Sequence, residues 1–241
     1  MAGLVALFAH PDDESYATGG TLAKYSAEGV RIALYCATHG DAGQTSGIPV
    51  SSRAQLGRLR RAELAEACAV LGIGTLETGG HPDGALAAVP ADLVLREMVA
   101  LLRRERPAVV VTFGPEGAPT AHPDHRAISR LATAAVLLAG TASAFPEQLV
   151  GDVRPHRAAR LCYYTWRPGA EGSRGVDGQP VHIAVPIAAW RERKRAAFAV
   201  HRTQQQHAAS FETAARSDEE CYFVLLGPPA PAGATGVFDG L

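Results

Sequence analysis

Two short, almost wholly apolar segments constrain the fold of this chain more than any other feature. They are residues 3–9 (GLVALFA) and residues 108–113 (AVVVTF), and each has the length of a β-strand. Continuous apolar runs of this length are typical of strands that are buried on both faces of a parallel sheet. Each run ends at a polar loop that contains histidine, so the sequence places its reactive side chains directly after buried strands.

Helical and strand-like patterns alternate along the rest of the chain. Apolar residues at helical spacing predict a helix that follows Gly20 and ends at Gly29, and further helices at 58–71, 90–105, 126–138 and 188–207. Further strands are predicted at 30–37, 160–164, 181–185 and 222–225. The alternation predicts a Rossmann-like α/β fold, that is, an open, mostly parallel sheet with helices on both faces.

Length and composition indicate one globular domain. The chain has 241 residues, of which 47% are hydrophobic and 20% are charged, and we predict a single domain over residues 1–241. The segment 167–179 is polar and glycine-rich, and many Pro, Gly and Ala residues lie in the tail of about 227–241. We expect both segments to be irregular and mobile.

The charge balance limits the classes of partner. With 23 basic and 24 acidic residues, the formal net charge is -1, so no overall field draws the chain to nucleic acid or to an anionic membrane. No segment reaches the ~18 consecutive apolar residues of a membrane span, and no cleavable leader pattern opens the chain. We therefore expect a cytoplasmic protein with a small-molecule substrate. The sequence does not decide between a monomer and a homo-oligomer.

The first polar loop, residues 10–14 (HPDDE), combines one imidazole with three carboxylates. Crowded carboxylates repel one another unless a cation compensates their charge, and a divalent metal ion would do so. Taken alone, the motif also fits a solvated turn, because Pro-Asp-Asp is common turn chemistry.

The second polar loop, residues 122–125 (HPDH), carries two imidazoles three positions apart, which alone could be a surface pair at a helix start. Two HPD triplets, each after an apolar strand, are a more specific pattern. Ligands of parallel α/β sheets bind outside the carboxyl ends of the strands, so the two loops can meet there. The four cysteines form no CxxC pair, and a nitrogen and oxygen donor set suits zinc.

These two motifs resemble the signatures of the LmbE-like, or N-acetylglucosaminylphosphatidylinositol de-N-acetylase, family. The resemblance extends over most of the chain. It includes residues 19–23 (GGTLA), 38–43 (THGDAG), 71–73 (LGI) and 82–84 (PDG), Arg60 with Glu63, and Lys194, His201 and Gln204.

The resemblance implies a role for each residue of the two motifs. His10, Asp13 and His125 match the family's zinc ligands, and Asp12 matches its general base. His122 matches the imidazole that, when protonated, stabilises the oxyanion or protonates the leaving amine. Three protein ligands leave one zinc position open for water, which agrees with catalytic zinc sites in general.

The remaining predicted site residues are an orienting group and three substrate contacts. We expect Asp124 to orient the His122 imidazole. Arg60 and Asp83 match positions that face the sugar, although Asp83 also fits a plain Pro-Asp-Gly turn, and Glu14 would hold either the sugar or a loop. His39, His81 and His201 are interpreted as hydrogen-bonded or surface residues.

The resemblance implies a hydrolase that removes an N-acetyl or other N-acyl group from an N-acetylglucosamine-type glycoconjugate. A thiol-conjugate amidase of the same family is an alternative, and so is a non-catalytic sugar- or lipid-binding protein on this scaffold. A nucleotide-binding oxidoreductase is disfavoured, because G-x-G-x-x-G is absent and the carboxylates of HPDDE would repel a pyrophosphate.

Overall fold

The computed structural model describes residues 3–170 and 176–241. The described strands are β1 (Gly3–Phe8), β2 (Arg31–Thr38), β3 (Thr75–His81), β4 (Val109–Phe113), β5 (Arg160–Thr165), β6 (Ile183–Pro186) and β7 (Glu219–Leu226). The described α-helices are α1 (Asp13–Ala27), α2 (Arg53–Leu71), α3 (Ala91–Glu105), α4 (Pro123–Ala139), α5 (Arg191–Ala199) and α6 (Ala208–Ala215). Short 3₁₀ helices lie at Leu86–Ala88, Pro146–Gln148, Ala188–Trp190 and Arg202–His207.

The strands form one sheet in the order β3-β2-β1-β4-β5-β7-β6. Strands β1 to β5 pair in parallel, whereas β7 runs antiparallel to both β5 and β6. The helices flank this sheet, with α3 packed against α4 and with α1 and α2 packed against α5. The predicted fold, a mostly parallel α/β sheet of Rossmann-like type, is confirmed.

The order of the strands creates a cleft beside β1. The chain moves from β1 outward to β2 and β3, and then returns to place β4 on the other side of β1. The loops that follow β1 and β4 therefore diverge to opposite faces of the sheet, which is the arrangement that opens a ligand-binding crevice in folds of this kind. The HPDDE and HPDH motifs both lie at this crevice, since the first follows β1 and the second follows β4.

Helix α1 begins eight positions before the helix that the sequence predicts, at Asp13, and it continues through Gly19 and Gly20. The two glycines were interpreted as part of a loop. In the structure they allow close packing, because a Cβ atom on Gly20 would lie 2.6 Å from the Ile187 side chain and one on Gly19 would lie 3.0 Å from Lys194. Tertiary packing here outweighs the low helix propensity of glycine.

Three other element predictions need correction. Strand β3 was not predicted, because it is a partly exposed edge strand of sequence TLETGGH that lacks an apolar run. The helix predicted over 188–207 is divided into a 3₁₀ turn, α5 and a second 3₁₀ segment, and α6 follows as an additional helix.

The C-terminal tail has neither helix nor strand, as predicted, and its last residues pack against the sheet, which the sequence did not predict. The buried Arg160 guanidinium donates to the carbonyl oxygens of Val237 and Asp239, at 2.9 Å each. The Val237 amide donates to the Tyr25 hydroxyl, and Val237 is fully buried. The core of the predicted glycine-rich loop, residues 171–175, lies outside the described residues.

Two further observations concern the cysteines and the apolar character of the helices. All four cysteines are buried and unpaired. Among the described helices, none combines the length and the apolar character that crossing a bilayer requires.

Candidate metal centre

Three predicted metal ligands converge at the carboxyl ends of β1 and β4. The Nε2 atom of His125 lies 3.2 Å from Nδ1 of His10 and 3.1 Å from Oδ1 of Asp13. The Nδ1 atom of His10 lies 3.7 Å from Oδ2 of Asp13. All three residues are buried. The structure therefore brings together two imidazole nitrogens and one carboxylate from two separate loops.

The hydrogen bonds of the two imidazoles direct one free nitrogen of each ring into this cluster. Nε2 of His10 faces Oδ1 of Asp83 at 3.1 Å and Oδ2 of Asp124 at 3.2 Å, which makes Nε2 the protonated nitrogen and Nδ1 the one with a lone pair. Nδ1 of His125 lies 3.2 Å from the carbonyl oxygen of Gly117, to which it donates, so its Nε2 carries the lone pair. Such outer partners fix the tautomer of metal-binding histidines.

The Asp13 carboxylate is also held in place. Its Oδ2 atom accepts the backbone N–H groups of His10 at 2.8 Å and Ala9 at 3.1 Å. Burial opposes the ionisation of Asp13, but the imidazoles of His125 and His10, when protonated, outweigh burial and lower its pKa, and a bound metal cation would act in the same direction. The carboxylate is thus ionised at neutral pH, which is the state that a metal ligand needs.

The donor set fits a divalent metal ion. In a tetrahedral zinc site with bonds of about 2.0 to 2.1 Å, neighbouring donor atoms lie roughly 3.3 to 3.4 Å apart, and the three contacts measured here are 3.1, 3.2 and 3.7 Å. The histidines 10, 122 and 125 also form a group whose nitrogen atoms are close enough to share an ion. The residues accordingly form a candidate His and Asp metal site, and the choice of ligands remains a prediction.

Asp12 lies beside this cluster in an unusual backbone conformation. It precedes α1 as the N-cap residue, with φ 107° and ψ -22°, and its side chain makes no capping hydrogen bond. Its carboxylate lines the cavity, and its Oδ2 lies 3.3 Å from the NH2 atom of Arg60. Burial raises the pKa of Asp12 to about 6 although Arg60 opposes the rise. A pKa close to neutral suits a general base.

His122 is the N-cap residue of α4. Its Nδ1 accepts the backbone N–H of Asp124 at 3.1 Å, so the neutral ring carries its proton on Nε2. The ring centroid lies 4.8 Å from that of His10 and 5.0 Å from that of His125. Burial, together with the nearby imidazoles, lowers the pKa of His122. This direction disfavours the protonated ring that the resemblance implied and favours a neutral Nε2–H donor.

The predicted partner of Asp124 needs correction. Its Oδ2 atom contacts His10 instead of His122, and it also accepts the N–H of Gly84 at 2.7 Å, while Oδ1 accepts the N–H of Leu86 at 3.0 Å. The physical reason is the approach of the 82–86 loop, whose amides need a buried acceptor. Asp124 therefore orients a predicted metal ligand and anchors a loop.

The three predicted substrate contacts have different surroundings. Asp83 lines the cavity, and its Oδ2 accepts the N–H of Ala42 at 2.8 Å. Arg60 also lines the cavity, but its guanidinium donates to the carbonyl oxygens of Gly40 at 2.8 Å and Pro11 at 2.6 Å. Glu14 is 1% exposed, contacts His201 and is not among the cavity-lining residues, so its predicted sugar contact is wrong.

The metal cluster lies at one end of a cavity of about 920 Å³. Aromatic residues that sequence reasoning missed also line the cavity, among them Tyr16, Tyr164 and Trp166. The aromatic sequence YYTW at the end of β5 was a signal for Tyr164 and Trp166 but not for Tyr16. Lys194 also lines the cavity and forms a buried ion pair of 2.7 Å with Glu220.

The three histidines interpreted as hydrogen-bonded or surface residues, His39, His81 and His201, behave as predicted. His39 contacts the Thr78 hydroxyl at 3.2 Å, and His81 contacts Glu97 at 3.1 Å. His201 is fully buried against Glu14 at 2.8 Å. None of the three is among the residues that line the cavity in the described part of the chain.

Comparison with known proteins agrees with this fold and this site. The family described as GlcNAc-PI de-N-acetylase (PIG-L) matches residues 5–136, which include both HPD motifs. This match defines the class of protein to which the open α/β sheet, with its paired His and Asp motifs at the crevice, belongs. The chain belongs to the PIG-L family of deacetylases.

Individual relatives indicate which deacetylases this chain resembles. The chain is 32% identical over 274 residues to the 1D-myo-inositol 2-acetamido-2-deoxy-alpha-D-glucopyranoside deacetylase of Saccharomonospora viridis, covering 99% of this chain and 100% of the relative. It is 35% identical over 134 residues to a probable N-acetyl-alpha-D-glucosaminyl L-malate deacetylase 2 of Bacillus cereus, covering 55% of this chain and 60% of the relative. The N,N'-diacetylchitobiose deacetylase of Pyrococcus horikoshii has the same fold, with TM-score 0.78 at 23% identity, covering 92% of this chain and 83% of that one.

Proposed function

We propose that this protein is a zinc-dependent N-deacetylase that converts a 2-acetamido-2-deoxyglucoside into the free amine and acetate. The observation that carries the proposal is the convergence of His10, Asp13 and His125 within 3.1 to 3.7 Å, with Asp12 beside them at a common cavity. These three residues would hold one zinc ion. Bound there, zinc would supply Lewis acidity toward the acetamide carbonyl and would activate water.

Asp12 is the proposed general base. Its carboxylate faces the cavity, and a pKa raised to about 6 lets it accept a proton from water near neutral pH. The Arg60 guanidinium lies 3.3 Å from the Asp12 carboxylate. This contact restricts the position of the carboxylate and leaves it able to accept a proton. The proton that Asp12 accepts can then pass to the departing amine nitrogen, so that the overall reaction consumes one water and yields amine and acetate.

His122 is the proposed donor to the oxyanion that develops on the acetyl carbonyl. The amide of Asp124 occupies its Nδ1 atom, which leaves the Nε2–H of the neutral ring available for the cavity. A donor that is fixed before the reaction stabilises developing charge without a reorganisation cost. The family role of this imidazole is thus compatible with a neutral ring, and a protonated ring is not required.

The substrate is proposed to be a glucosamine linked to a hydroxyl-rich aglycone. The named substrate of the relatives that cover 99% of this chain is the inositol conjugate, which motivates this choice. A cavity of about 920 Å³ is large enough for a disaccharide-sized ligand. Both buried cations of its described lining are already engaged, Lys194 with Glu220 and Arg60 with Asp12, which favours a neutral aglycone over an anionic one. Asp83 and Arg60 remain proposed contacts of the sugar.

The substrate proposal is tested by acetate release from matched conjugates. The zinc-loaded protein would be assayed with N-acetylglucosaminyl inositol, N-acetylglucosaminyl malate and N,N'-diacetylchitobiose, with a cysteine-conjugate amide as a fourth substrate. We expect the highest kcat/KM with the inositol conjugate. A higher value with the malate conjugate would overturn the neutral aglycone. Cleavage of the thiol-conjugate amide alone would replace the deacetylase by the amidase of the same family.

A further inference from the structure

Asp12 departs from the usual behaviour of an aspartate at a helix start. An N-cap aspartate normally has an extended backbone, and its carboxylate accepts an N–H group of the first helical turn. Asp12 instead has φ 107°, in the left-handed region, and its side chain caps nothing. Left-handed backbone is unfavourable for residues other than glycine and persists only where the surroundings impose it.

Glu14, two positions later, bonds the backbone of Asp12 in this conformation. Its Oε2 atom accepts the backbone N–H of Asp12 at 3.0 Å. Its Oε1 atom accepts the Ser15 hydroxyl at 2.5 Å and the Nε2–H of His201 at 2.8 Å. This resembles the returning arm of a capping box, in which an early helical carboxylate binds the N-cap N–H. Glu14 thus bonds the backbone of Asp12, and His201 fixes Glu14.

The Glu14 and His201 side chains lie in the protein interior, outside the cavity. They are 1% and 0% exposed, and neither lines the cavity. The Asp12 carboxylate, by contrast, lines the cavity and has Arg60 as its side-chain partner. Two separate anchors therefore act on one residue, with Glu14 on the backbone amide and Arg60 on the carboxylate.

We propose that Glu14, held by His201, is a positioning residue for Asp12. By binding the Asp12 amide, Glu14 keeps the backbone left-handed and frees the Asp12 carboxylate from capping, so that it points into the cavity. The inference rests on the proposed function, in which Asp12 is the general base. Under this proposal Glu14 acts through the conformation of Asp12, and it neither contacts the substrate nor binds the metal.

Glu14 is adjacent to Asp13, so an alternative is that Glu14 positions Asp13 instead of Asp12. The contacts argue against it, because the amides of Ala9 and His10 hold the Asp13 carboxylate, whereas the Glu14 carboxylate bonds the Asp12 amide, Ser15 and His201. A role through Asp13 would change zinc binding, whereas a role through Asp12 would change turnover at constant zinc content. The two roles are therefore separable by measurement.

The test compares two substitutions of Glu14 with one at a second buried carboxylate. Glu14→Leu keeps much of the side-chain volume but removes the acceptor, and Glu14→Gln keeps an oxygen that can accept the Asp12 amide. Glu63, which is 3% exposed and bonds Thr203 instead, provides the matched control Glu63→Leu. Each variant would be measured for kcat and KM with N-acetylglucosaminyl inositol, for zinc stoichiometry, and for the conformation of Asp12 by crystallography.

We expect Glu14→Leu to lower kcat on the order of 10²-fold, because misplacing a reacting group by about 1 Å costs that much. KM and zinc content should stay unchanged, and Asp12 should relax to negative φ. Glu14→Gln should retain most of kcat and the left-handed Asp12, and Glu63→Leu should retain kcat. Unchanged kcat in Glu14→Leu, or a loss of kcat that follows a loss of zinc, would overturn the proposal.

In two further cases the proposal is tested without kinetic measurements on the variants. If Glu14→Leu does not fold, a crystal structure of the zinc-loaded wild type decides, since negative φ at Asp12 or a Glu14 carboxylate away from the Asp12 amide would overturn the proposal. If the wild type releases no acetate from any conjugate, the proposed function has failed, and the Asp12 conformation in the Glu14→Gln and Glu14→Leu structures still tests the positioning.

Discussion

The Nδ1 atom of His10 lies 3.2 Å from the Nε2 atom of His125, although 115 positions separate the two residues in the chain. The contact follows from the topology, because β1 and β4 are parallel neighbours and Ala6 is in register with Val111. Strand β1 ends two positions before His10, and β4 ends twelve positions before His125, at the start of α4. The two lone-pair nitrogens face each other without an intervening proton donor, which is the arrangement that a metal ion would stabilise.

Replacing His125 by Ala should abolish tight zinc binding, because it removes one of three converging donors. We expect the wild type to bind one zinc ion and to show metal-ligand distances of about 2.0 to 2.2 Å to His10, Asp13 and His125. Elemental analysis after dialysis gives the stoichiometry, and crystallography gives the distances. His39→Ala, which removes an imidazole bonded to Thr78, should keep full zinc content. Full zinc content in His125→Ala would reject this ligand set.

Replacing Asp124 by Asn should weaken zinc binding without abolishing it. The Asp124 carboxylate orients His10 through its Nε2–H, and loss of such an outer partner typically costs about 10- to 100-fold in metal affinity. Competition with a chelator of known affinity measures the effect. Asp83 contacts the same Nε2–H at 3.1 Å, so Asp83→Asn should also weaken zinc binding. Zinc affinity that is unchanged in both variants would show that the orientation of His10 is set elsewhere.

Replacing His122 by Ala should lower kcat by roughly 10²- to 10³-fold, the usual loss on removing one oxyanion donor, while zinc content is retained. Because the pKa of His122 is lowered from its ordinary value, the ring is neutral at and above neutral pH. The neutral Nε2–H is the proposed donor, so the ratio of wild-type to variant kcat/KM should stay constant from about pH 7 to pH 9. A ratio that falls steadily over this range would mean that the protonated ring is required.

Replacing Arg160 by Met should destabilise the protein without a comparable effect on kcat. Arg160 is fully buried at the start of β5, at the sheet edge opposite the candidate site, and it donates to three tail carbonyl oxygens. Leaving buried acceptors unpaired costs about 1 to 3 kcal/mol each. A lower Tm in thermal unfolding measures the loss, with the exposed Arg154→Met as the control. An unchanged Tm would show that the tail does not depend on Arg160.

The sequence predicted the convergence of the two HPD loops because this feature depends on local patterns. Two continuous apolar runs identify adjacent buried strands, and the motif that follows each run places its polar residues at the same edge. The partner of Asp124 could not be predicted in this way. It depends on the loop at 82–86, whose amides approach Asp124 from a distant part of the chain.

The choice between the two predicted roles of Glu14, a sugar contact and a loop contact, could not be made from the sequence for a related reason. The motif HPDDE does not reveal which of its carboxylates faces the cavity, because that depends on the left-handed backbone of Asp12 and on a histidine 187 positions away. The early start of α1 was hidden by Gly19 and Gly20, whose helical conformation reflects close packing against Lys194 and Ile187. In each case a long-range contact determined the local structure.

Acetate release by Asp12→Asn is the measurement that tests the central claim most directly. The asparagine cannot accept a proton from water, and Asp12 is not a predicted zinc ligand, so the variant should bind one zinc ion. We expect the zinc-loaded wild type to release acetate from N-acetylglucosaminyl inositol, and Asp12→Asn to lose about 10²- to 10⁴-fold in kcat. Near-normal kcat in Asp12→Asn, or no acetate release by the zinc-loaded wild type from any of the conjugates, would contradict the account.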